Sequence, residues 1–308
     1  MAKLSPRCRF PDHPERPILN SFGVVLTALF CGAVLILPRR LAALSVVASV
    51  CYITQGQTLQ LGFNFTAVRI VLLAGLFRVL VRGELQRVRF NAIDKSLVAY
   101  AVCLALIATL RRATSDELVY QLGGIYNFSL SYFFFRALLT SKQEISDFLA
   151  ILPVALVPLA LFMMYEAYTG RNLFAHFGGV SPYSMIRDNH VRAQGSFRSP
   201  ITAGSLGATF AMLFSGLLFA GERRRAATIG LIFSLIILIC AHSSGPLLGV
   251  MAGLAALSCW RFRLHTRKIR WSIVILLVGL HLVMKSPVWF LMGRISDLVG
   301  GGDITEPI

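Results

Sequence analysis

The residues best suited to chemistry stand in residues 168–199, the longest polar stretch of an otherwise apolar chain. Its ionisable side chains are mostly cationic: Arg171, Arg187, Arg192, Arg198, His176 and His190, against the single acid Asp188. A guanidinium presents a planar fork of donors that matches a phosphate or pyrophosphate group. The stretch is therefore a candidate anion-binding loop. The alternative is an ordinary connecting loop whose basic residues are solvated at a membrane edge.

Composition indicates the environment in which this loop stands. The chain has 308 residues, of which 56% are hydrophobic and 14% are charged, with a mean hydropathy of +0.70. Soluble domains carry about 25% charged residues, so these values predict an integral membrane protein. The net charge of +16 comes mostly from short links between apolar spans. Positive charge in such links indicates topology and contact with anionic lipid rather than binding of nucleic acid.

The six cysteines are scattered along the chain, mostly in or beside apolar spans. None of their spacings is typical of a metal site or of a disulfide framework. The sequence therefore predicts neither a bound metal nor a cofactor.

Apolar stretches predict an all-α, polytopic membrane protein with about nine or ten transmembrane helices. The stretches are residues 18–37, 41–54, 66–81, 93–110, 118–139, 148–167, 201–220, 226–241, 246–260 and 269–284. The stretch 41–54 is short for a crossing at about 1.5 Å per residue, so crossing, tilt and re-entrance stay open. The expected organisation is a basic cytoplasmic tail over residues 1–17, a helical membrane domain over 18–287 that contains the outward loop 168–199, and the start of a second periplasmic loop over 288–308.

Two basic links predict the orientation of the helices. The segment Glu222-Arg223-Arg224-Arg225 and residues 261–270 carry the strongest positive charge and should face the cytoplasm. Counting back along the helices places residues 82–95 inside, and residues 168–199 and 242–245 outside. A cytoplasmic N-terminus then requires that residues 41–54 do not cross fully. The alternative places the cations of the tail outside.

Polar residues within the apolar spans predict a cavity. Tyr120, Gln121, Tyr126 and Asn127 lie in the outer half of their helix, where an unpaired polar group facing hydrocarbon is costly. Arg69 should lie at the outer end of its helix, either as a second phosphate contact or as an interfacial anchor.

Other polar and small residues predict individual contacts. Arg78 should extend to the cytoplasmic headgroups. Glu166 is expected to pair with Arg171 or to act as a base, and His190 is the other candidate base. The small residues Gly204, Gly207 and Ala208 predict close helix packing.

The segment Arg192-Ala-Gln-Gly195-Ser-Phe197-Arg-Ser-Pro200 resembles the Arg-x-x-Gly-x-Phe-x-x-Pro signature of the O-antigen ligase and polymerase superfamily. Looser similarities accompany it: Asn64-Phe65-Thr66 before Arg69, Gly75-Leu76-Phe77-Arg78, Tyr132-Phe133-Phe134-Phe135-Arg136 and Ser243-Ser244-Gly245-Pro246-Leu247-Leu248-Gly249 are similar to regions of exopolysaccharide members. The resemblance covers about residues 60–300.

The resemblance implies a glycosyltransferase at the periplasmic face of the bacterial inner membrane. Such proteins transfer a glycan from undecaprenyl pyrophosphate to a growing chain or to lipid A core, without a metal. Their arginines hold the pyrophosphate, and a histidine of a large periplasmic loop is the candidate base. Arg192 matches the arginine of the signature. Arg198, Arg69 and Arg187 are added as pyrophosphate contacts from their positions.

Two departures from the family pattern leave alternatives open. Ligases carry an arginine where this chain has Ser244-Gly245-Pro246, which favours a polymerase. The chain also stops at Ile308, where members continue through the loop that carries the histidine. A catalytically incomplete remnant that only binds the lipid-linked glycan is therefore one alternative. A transporter of polysaccharide or lipid-linked sugar is another, although the repeated halves and intramembrane acid pairs typical of transporters are missing from the sequence.

Overall fold

A computed structural model describes residues 20–60, 64–88, 90–112, 115–187, 189–259 and 266–283. Helix makes up 79% of this described part and strand 4%, which confirms the helical class. Its helices are α1 (Ser21–Ile36), α2 (Arg39–Tyr52), α3 (Ala67–Val81), α4 (Ala92–Arg112), α5 (Ser115–Leu138), α6 (Lys142–Ile151), α7 (Pro153–Thr169), α8 (Pro200–Phe219), α9 (Arg224–Cys240), α10 (Ser244–Ser258) and α11 (Thr266–Val283).

Short strands and turns connect some of these helices. Strands β1 (Thr58–Gln60) and β2 (Asn64–Thr66) form an antiparallel pair between α2 and α3. Strands β3 (Met185–Arg187) and β4 (His190–Arg192) form a hairpin between α7 and α8, in which Met185 is paired with Arg192. Short 3-10 helices cover Glu84–Arg87 and Leu173–Phe177.

Every predicted apolar stretch overlaps a helix, and the clearest difference is at residues 148–167. Two helices, α6 and α7, meet there at Leu152, and Pro153 is the first residue of α7. Proline is tolerated at that position because the first N–H of a helix needs no partner inside the helix. By length and composition, Lys142–Thr169 and Pro200–Phe219 are long and apolar enough to cross a membrane.

Helix α2 lies at the centre of the packing, although its sequence predicted a marginal span. Seven of its 14 residues are buried, and it contacts α1, α3, α5, α6 and α7. Alanine and serine supply much of its buried surface, which lets neighbouring helices approach closely. Tertiary packing therefore stabilises this short helix.

Among the described helices, α8 and α9 make the most extensive contact, and they pack closely where the small residues predicted it. A Cβ atom on Gly207 would lie 2.8 Å from the carbonyl oxygen of Ser234 and 2.9 Å from the backbone nitrogen of Leu238. Gly204 similarly faces Ala241 and Pro246. The absence of side chains at these two positions lets α8 contact α9 and the start of α10 directly.

Arg78 is fully buried, which corrects the expectation that it extends to lipid headgroups. Its Nη1 donates to the carbonyl oxygens of Val34, at 2.6 Å, and Leu37, at 2.5 Å. Its Nε lies 3.4 Å from a carboxylate oxygen of Glu84, which is also buried. Arg78 thus closes the turn between α1 and α2, where carbonyl groups at a helix end need donors.

The links between helices that the structure describes gather at two ends. The ionic end holds the α1–α2, α3–α4, α5–α6 and α8–α9 links. Ion pairs join these links: Arg39 lies 3.2 Å from Glu84, and Asp147 binds both Arg40, at 3.0 Å, and Arg223. The opposite end, which we call the loop end, holds residues 168–199 and residues 53–57. Residues 82–88 and 221–223 thus share one end, as the counting of helices predicted, and residues 260–265 of the other basic link lie outside the described residues.

The start of α1 lies at the loop end. Nδ2 of Asn20 donates to the carbonyl oxygen of Phe177 at 3.1 Å. Helix α2 then runs from the ionic end back to the loop end, where Oγ of Ser196 donates to the carbonyl oxygen of Cys51. The predicted tail over residues 1–17 and the segment 288–308 lie outside the described residues.

Candidate functional site

A buried carboxylate holds the loop that carries the arginine signature. Glu166, near the end of α7, is 1% exposed. Its Oε1 accepts hydrogen bonds from the backbone nitrogen of Gln194 at 3.0 Å and from Oγ of Ser184 at 2.9 Å. Its Oε2 accepts from the backbone nitrogen of Gly195 at 2.8 Å. Glu166 therefore binds these three donors rather than the expected Arg171, whose backbone pairs with Tyr183.

The glycine of the signature has a conformational role. Gly195 has a φ of +59°, in the left-handed region that glycine adopts without strain. This turn directs consecutive backbone N–H groups at Glu166, and the carbonyl oxygen of Gly195 accepts from Nδ2 of Asn172 at 2.7 Å. The turn is thus fixed on both sides by buried polar side chains.

The same segment is tied to the end of α2. The backbone nitrogen of Gln55 donates to the carbonyl oxygen of Ser196 at 3.0 Å. In return, Oε1 of Gln55 accepts from the backbone nitrogen of Arg198 at 3.3 Å. Phe197 between them is 1% exposed and belongs to the core. These contacts place Arg198 beside the residues that follow α2.

A cavity of about 500 Å³ lies beside Arg198, between α2, α3, α5 and α8. Much of its wall is apolar, including Val50, Leu72, Phe135 and Phe210. Its polar lining includes Thr54, Gln55, Arg69, Asn127 and Arg198. Two arginines far apart in sequence therefore line the same cavity.

Helix α5 holds Arg69 in place. Nε of Arg69 donates to Oδ1 of Asn127 at 2.9 Å, and the hydroxyl of Tyr126 donates to the carbonyl oxygen of Arg69 at 3.1 Å. A Cβ atom on Gly123 would lie 2.9 Å from Nη2 of Arg69, so the guanidinium crosses α5 where a side chain is missing. An arginine held in this way has lost part of its rotamer freedom before any ligand binds.

The cavity contains some of the predicted site residues and not others. Arg69, Arg198 and Asn127 line it. Arg187 on β3 and Arg192 on β4 belong to the hairpin and are not part of its described lining. Gln121 and Tyr126 are also outside that lining, and the side chain of Tyr120 lies outside the described residues.

A second cluster surrounds Arg192. The rings of His190, on β4, and His242, in the α9–α10 link, are stacked with centroids 5.0 Å apart and planes 9° apart. Burial lowers the pKa of His242, and the neighbouring charges of His190 and Arg192 lower it further. The backbone nitrogen of Ala193 donates to the carbonyl oxygen of Cys240 at 3.0 Å, which ties the hairpin to the end of α9.

His190 was among the predicted site residues, whereas its partner His242 was not. His242 has no periodic or motif spacing to His190, and only the tertiary contact between β4 and the end of α9 brings the rings together. The described residues contain no group of three or more His, Cys, Asp or Glu side chains placed to hold a metal ion.

Comparison with known proteins gives no match, either to a family model, to a characterised protein or to a solved structure. The resemblance to the O-antigen ligase and polymerase superfamily therefore rests on the residues quoted above.

Proposed function

We propose that this chain is a polytopic bacterial inner-membrane protein of surface-polysaccharide assembly. It binds a glycan linked to undecaprenyl pyrophosphate and transfers that glycan to the end of a growing chain at the periplasmic face. A polymerase fits better than a ligase acting on lipid A core, because Ser244-Gly245-Pro246 stands where ligases carry an arginine.

The proposal is supported by one observation: Arg69 and Arg198 both line a cavity with a largely apolar wall. A lipid-linked pyrophosphate has the matching two parts, a doubly anionic group and an apolar chain. Guanidinium groups bind the first through charge-assisted hydrogen bonds, and the wall formed by α2, α3, α5 and α8 contacts the isoprene units nearest the pyrophosphate. A volume of about 500 Å³ is within the usual range for ligand pockets.

The reaction needs little beyond binding and charge stabilisation. A hydroxyl oxygen of the acceptor bonds to the anomeric carbon of the donor glycan, and the bond from that carbon to the pyrophosphate oxygen breaks. The electron pair leaves with undecaprenyl pyrophosphate, and the hydroxyl proton passes to a base. Arg69 and Arg198 act where negative charge develops on the leaving group. Of the two candidate bases, His190 is exposed, whereas Glu166 is buried and already accepts three hydrogen bonds.

The proposed orientation places the loop end in the periplasm. Lys142–Thr169 and Pro200–Phe219 supply two crossings by their length and composition, and the proposal extends crossing to the other apolar helices. The basic residues Arg82 and Arg223–Arg225 lie at the ionic end, which is cytoplasmic by the positive-inside rule. Asn20 is then on the periplasmic side.

Chain elongation by the purified protein tests the proposal. The protein is placed in lipid nanodiscs with a synthetic repeat unit on undecaprenyl pyrophosphate, and product length is resolved on a gel. We expect Arg69→Ala and Arg198→Ala each to slow elongation about 10²-fold or more, because each removes one group that stabilises developing charge. Arg225→Ala is the matched control, since Arg225 is exposed at the ionic end.

Two outcomes contradict the proposal in different ways. Unchanged elongation in both cavity variants would remove the cavity from the reaction. Donor binding by the wild-type protein without any elongation would leave a protein that only binds lipid-linked glycan. Arg192→Ala reports separately on the hairpin: a loss of elongation with donor binding retained would assign Arg192 a role outside the cavity.

A further inference from the structure

A second cavity, of about 540 Å³, opens at the ionic end. Its lining comes from the turn before α2 and the first residues of that helix, from the last residue of α5, and from α6. Arg39, Arg40 and Glu144 supply its charged groups, and the other described lining residues are leucine, isoleucine and proline. The described linings of this cavity and of the cavity beside Arg198 have no residue in common.

The polarity of this second cavity changes along its length. Glu144 and Ile151 lie seven residues apart on one face of α6, a separation of about 10 Å along the helix axis. Because α6 begins at the ionic end, Glu144 lies close to that end and Ile151 lies farther from it. Helix α2 also begins at the ionic end, with Arg39 and Arg40 as its first two residues. The cavity is therefore charged at the ionic end and apolar toward the middle of the molecule, as a site for an amphiphile should be.

Beside this cavity the charges do not balance. The largely buried carboxylate of Asp147 binds two arginines, Arg40 at 3.0 Å and Arg223. Two guanidiniums and one carboxylate give this triad a net charge of +1. The side chain of Arg40 is 57% exposed and uses Nη1 for Asp147. A guanidinium has five N–H groups, so Arg40 has further donors for a ligand in the cavity.

Glu144 does not supply the missing negative charge, because both of its oxygens serve the protein. Its Oε2 accepts from the backbone nitrogen and the hydroxyl of Thr140 and from the backbone nitrogen of Ser141. Its Oε1 lies 4.0 Å from Nη1 of Arg39. The group that the cavity lacks is therefore an anion beside Arg40.

We infer that this cavity binds one anionic phospholipid of the phosphatidylglycerol type, taken from the leaflet at the ionic end. The single negative charge of its phosphodiester balances the triad of Arg40, Asp147 and Arg223. Arg40 donates charge-assisted hydrogen bonds to the phosphate oxygens, and the acyl chains lie along Leu41 and Ile151. Basic pockets between transmembrane helices are a recurrent site for such headgroups. The inference goes beyond the proposed function, which concerns the loop end.

Native mass spectrometry of the full chain, released from detergent micelles, is the test. The probes are phosphatidylglycerol, phosphatidylethanolamine and glycerophosphoglycerol, which is the phosphatidylglycerol headgroup without its acyl chains. The wild-type protein should hold one phosphatidylglycerol about tenfold more tightly than phosphatidylethanolamine, whose ammonium group is repelled by the net charge of the triad. Glycerophosphoglycerol should bind more weakly because it cannot use the apolar part of the cavity. Added phosphatidylglycerol should also raise the melting temperature.

Variants separate the site from the general attraction of a basic surface. Arg40→Ala should weaken phosphatidylglycerol binding about tenfold, as expected for the loss of a hydrogen bond to a charged group. Arg225→Ala is the matched control, because it removes the same charge from an exposed residue at the same end and should leave the affinity unchanged. Arg40→Lys can keep the ion pair with Asp147 and tests the site even if Arg40→Ala does not fold. It should lose about threefold, because an ammonium group lacks the bidentate fork.

A variant of the apolar wall tests whether the ligand is a lipid. Leu41→Ala removes part of the wall and leaves every charge in place. It should weaken phosphatidylglycerol binding about threefold and leave glycerophosphoglycerol binding unchanged.

Three results would overturn the inference. Wild-type affinity in both Arg40 variants, or an equal loss in Arg225→Ala, would show that this cavity is not the site. Equal affinity for the two phospholipids would remove the preference for an anionic lipid. Glycerophosphoglycerol binding as tight as that of phosphatidylglycerol would leave a site for a soluble phosphodiester. Arg69→Ala and Arg198→Ala should retain phosphatidylglycerol as the wild type does, so this inference and the proposed function can fail separately.

Discussion

Replacing Glu166 by glutamine should release the loop that carries the arginine signature. The carboxylate accepts three hydrogen bonds from groups that can all donate: the backbone nitrogens of Gln194 and Gly195, and the hydroxyl of Ser184. In Glu166→Gln, one oxygen becomes an NH₂ group. Whichever way the amide is turned, that NH₂ group faces at least one backbone N–H at a distance of about 3 Å.

The magnitude follows from these contacts. The loss of one hydrogen bond to a charged acceptor costs about 1.5–3 kcal/mol of stability. The N–H group that made it stays buried without a partner, which costs about 1–3 kcal/mol more. The remaining bonds become neutral and weaker. The lower desolvation penalty of a neutral amide opposes these losses. We expect a net destabilisation of the loop of about 2–4 kcal/mol.

Hydrogen exchange measured by mass spectrometry is the assay, because the effect is local. Peptides covering residues 184–198 should exchange faster in Glu166→Gln, while peptides from α2 should exchange as in the wild type. If the cavity holds a lipid-linked pyrophosphate as proposed, the affinity for that ligand should fall as well, since Arg198 lines the cavity and stands on the released segment. Glu222→Gln is the control: Glu222 lies at the ionic end, where it binds Nζ of Lys142 at 2.7 Å.

Exchange of the Gln194 and Gly195 backbone amides at the wild-type rate in Glu166→Gln would contradict this prediction. That result would mean that the left-handed turn and the contacts to α2 hold the loop without the carboxylate. Faster exchange throughout the protein would also contradict it, because Glu166 would then support the whole fold rather than this loop.

Two further predictions concern other parts of the chain. Gly207→Ala should destabilise the fold by about 1–3 kcal/mol and so lower the melting temperature, because the added Cβ would lie 2.8 Å from the carbonyl oxygen of Ser234. Gly216→Ala, on the same helix with open space around it, should be neutral or stabilising. For His242, burial and the charge of His190 lower the pKa below its ordinary 6.5. As pH falls, His242 therefore becomes protonated in the unfolded chain before it does in the folded protein. The contribution of neutral His242 to the free energy of unfolding is complete above about pH 6.5 and is lost as pH falls through the lower pKa of the folded protein. In an NMR titration His190→Ala should raise the pKa of His242, and an unchanged value would contradict the stacked geometry.

The positions of the helices could be predicted because apolar runs and their flanking charges are local properties of the sequence. The close packing at Gly207 and the position of Asn127 at a cavity followed from the same kind of argument, since small and polar residues in apolar helices face protein rather than lipid. The central position of α2 did not follow. Its shortness suggested an incomplete crossing, whereas its alanine and serine content fits a helix surrounded by other helices.

The partners of charged groups could not be predicted, because they depend on turns. Arg78 can be buried because the chain turns after the end of α3 and places Glu84 beside it. No helical spacing relates these two residues. The signature pointed to Arg192, yet the left-handed turn at Gly195 directs the chain so that Arg198 lines the cavity and Arg192 stays with the hairpin. Glu166 was expected to pair with Arg171 or to act as a base, and its partners in the fold are two backbone N–H groups and the hydroxyl of Ser184.

Helix α2 also limits the membrane that suits this protein. Its 14 residues rise about 21 Å, at about 1.5 Å each, whereas the hydrocarbon core of a typical bilayer is about 30 Å thick. In the proposed orientation the residues after α2 therefore lie below the outer surface of an undisturbed bilayer. The lipid must thin locally around the loop end, or water must enter from the periplasm. Bilayers of shorter acyl chains should reduce this mismatch and bring the proposed lipid-linked ligand closer to the depth of Arg69.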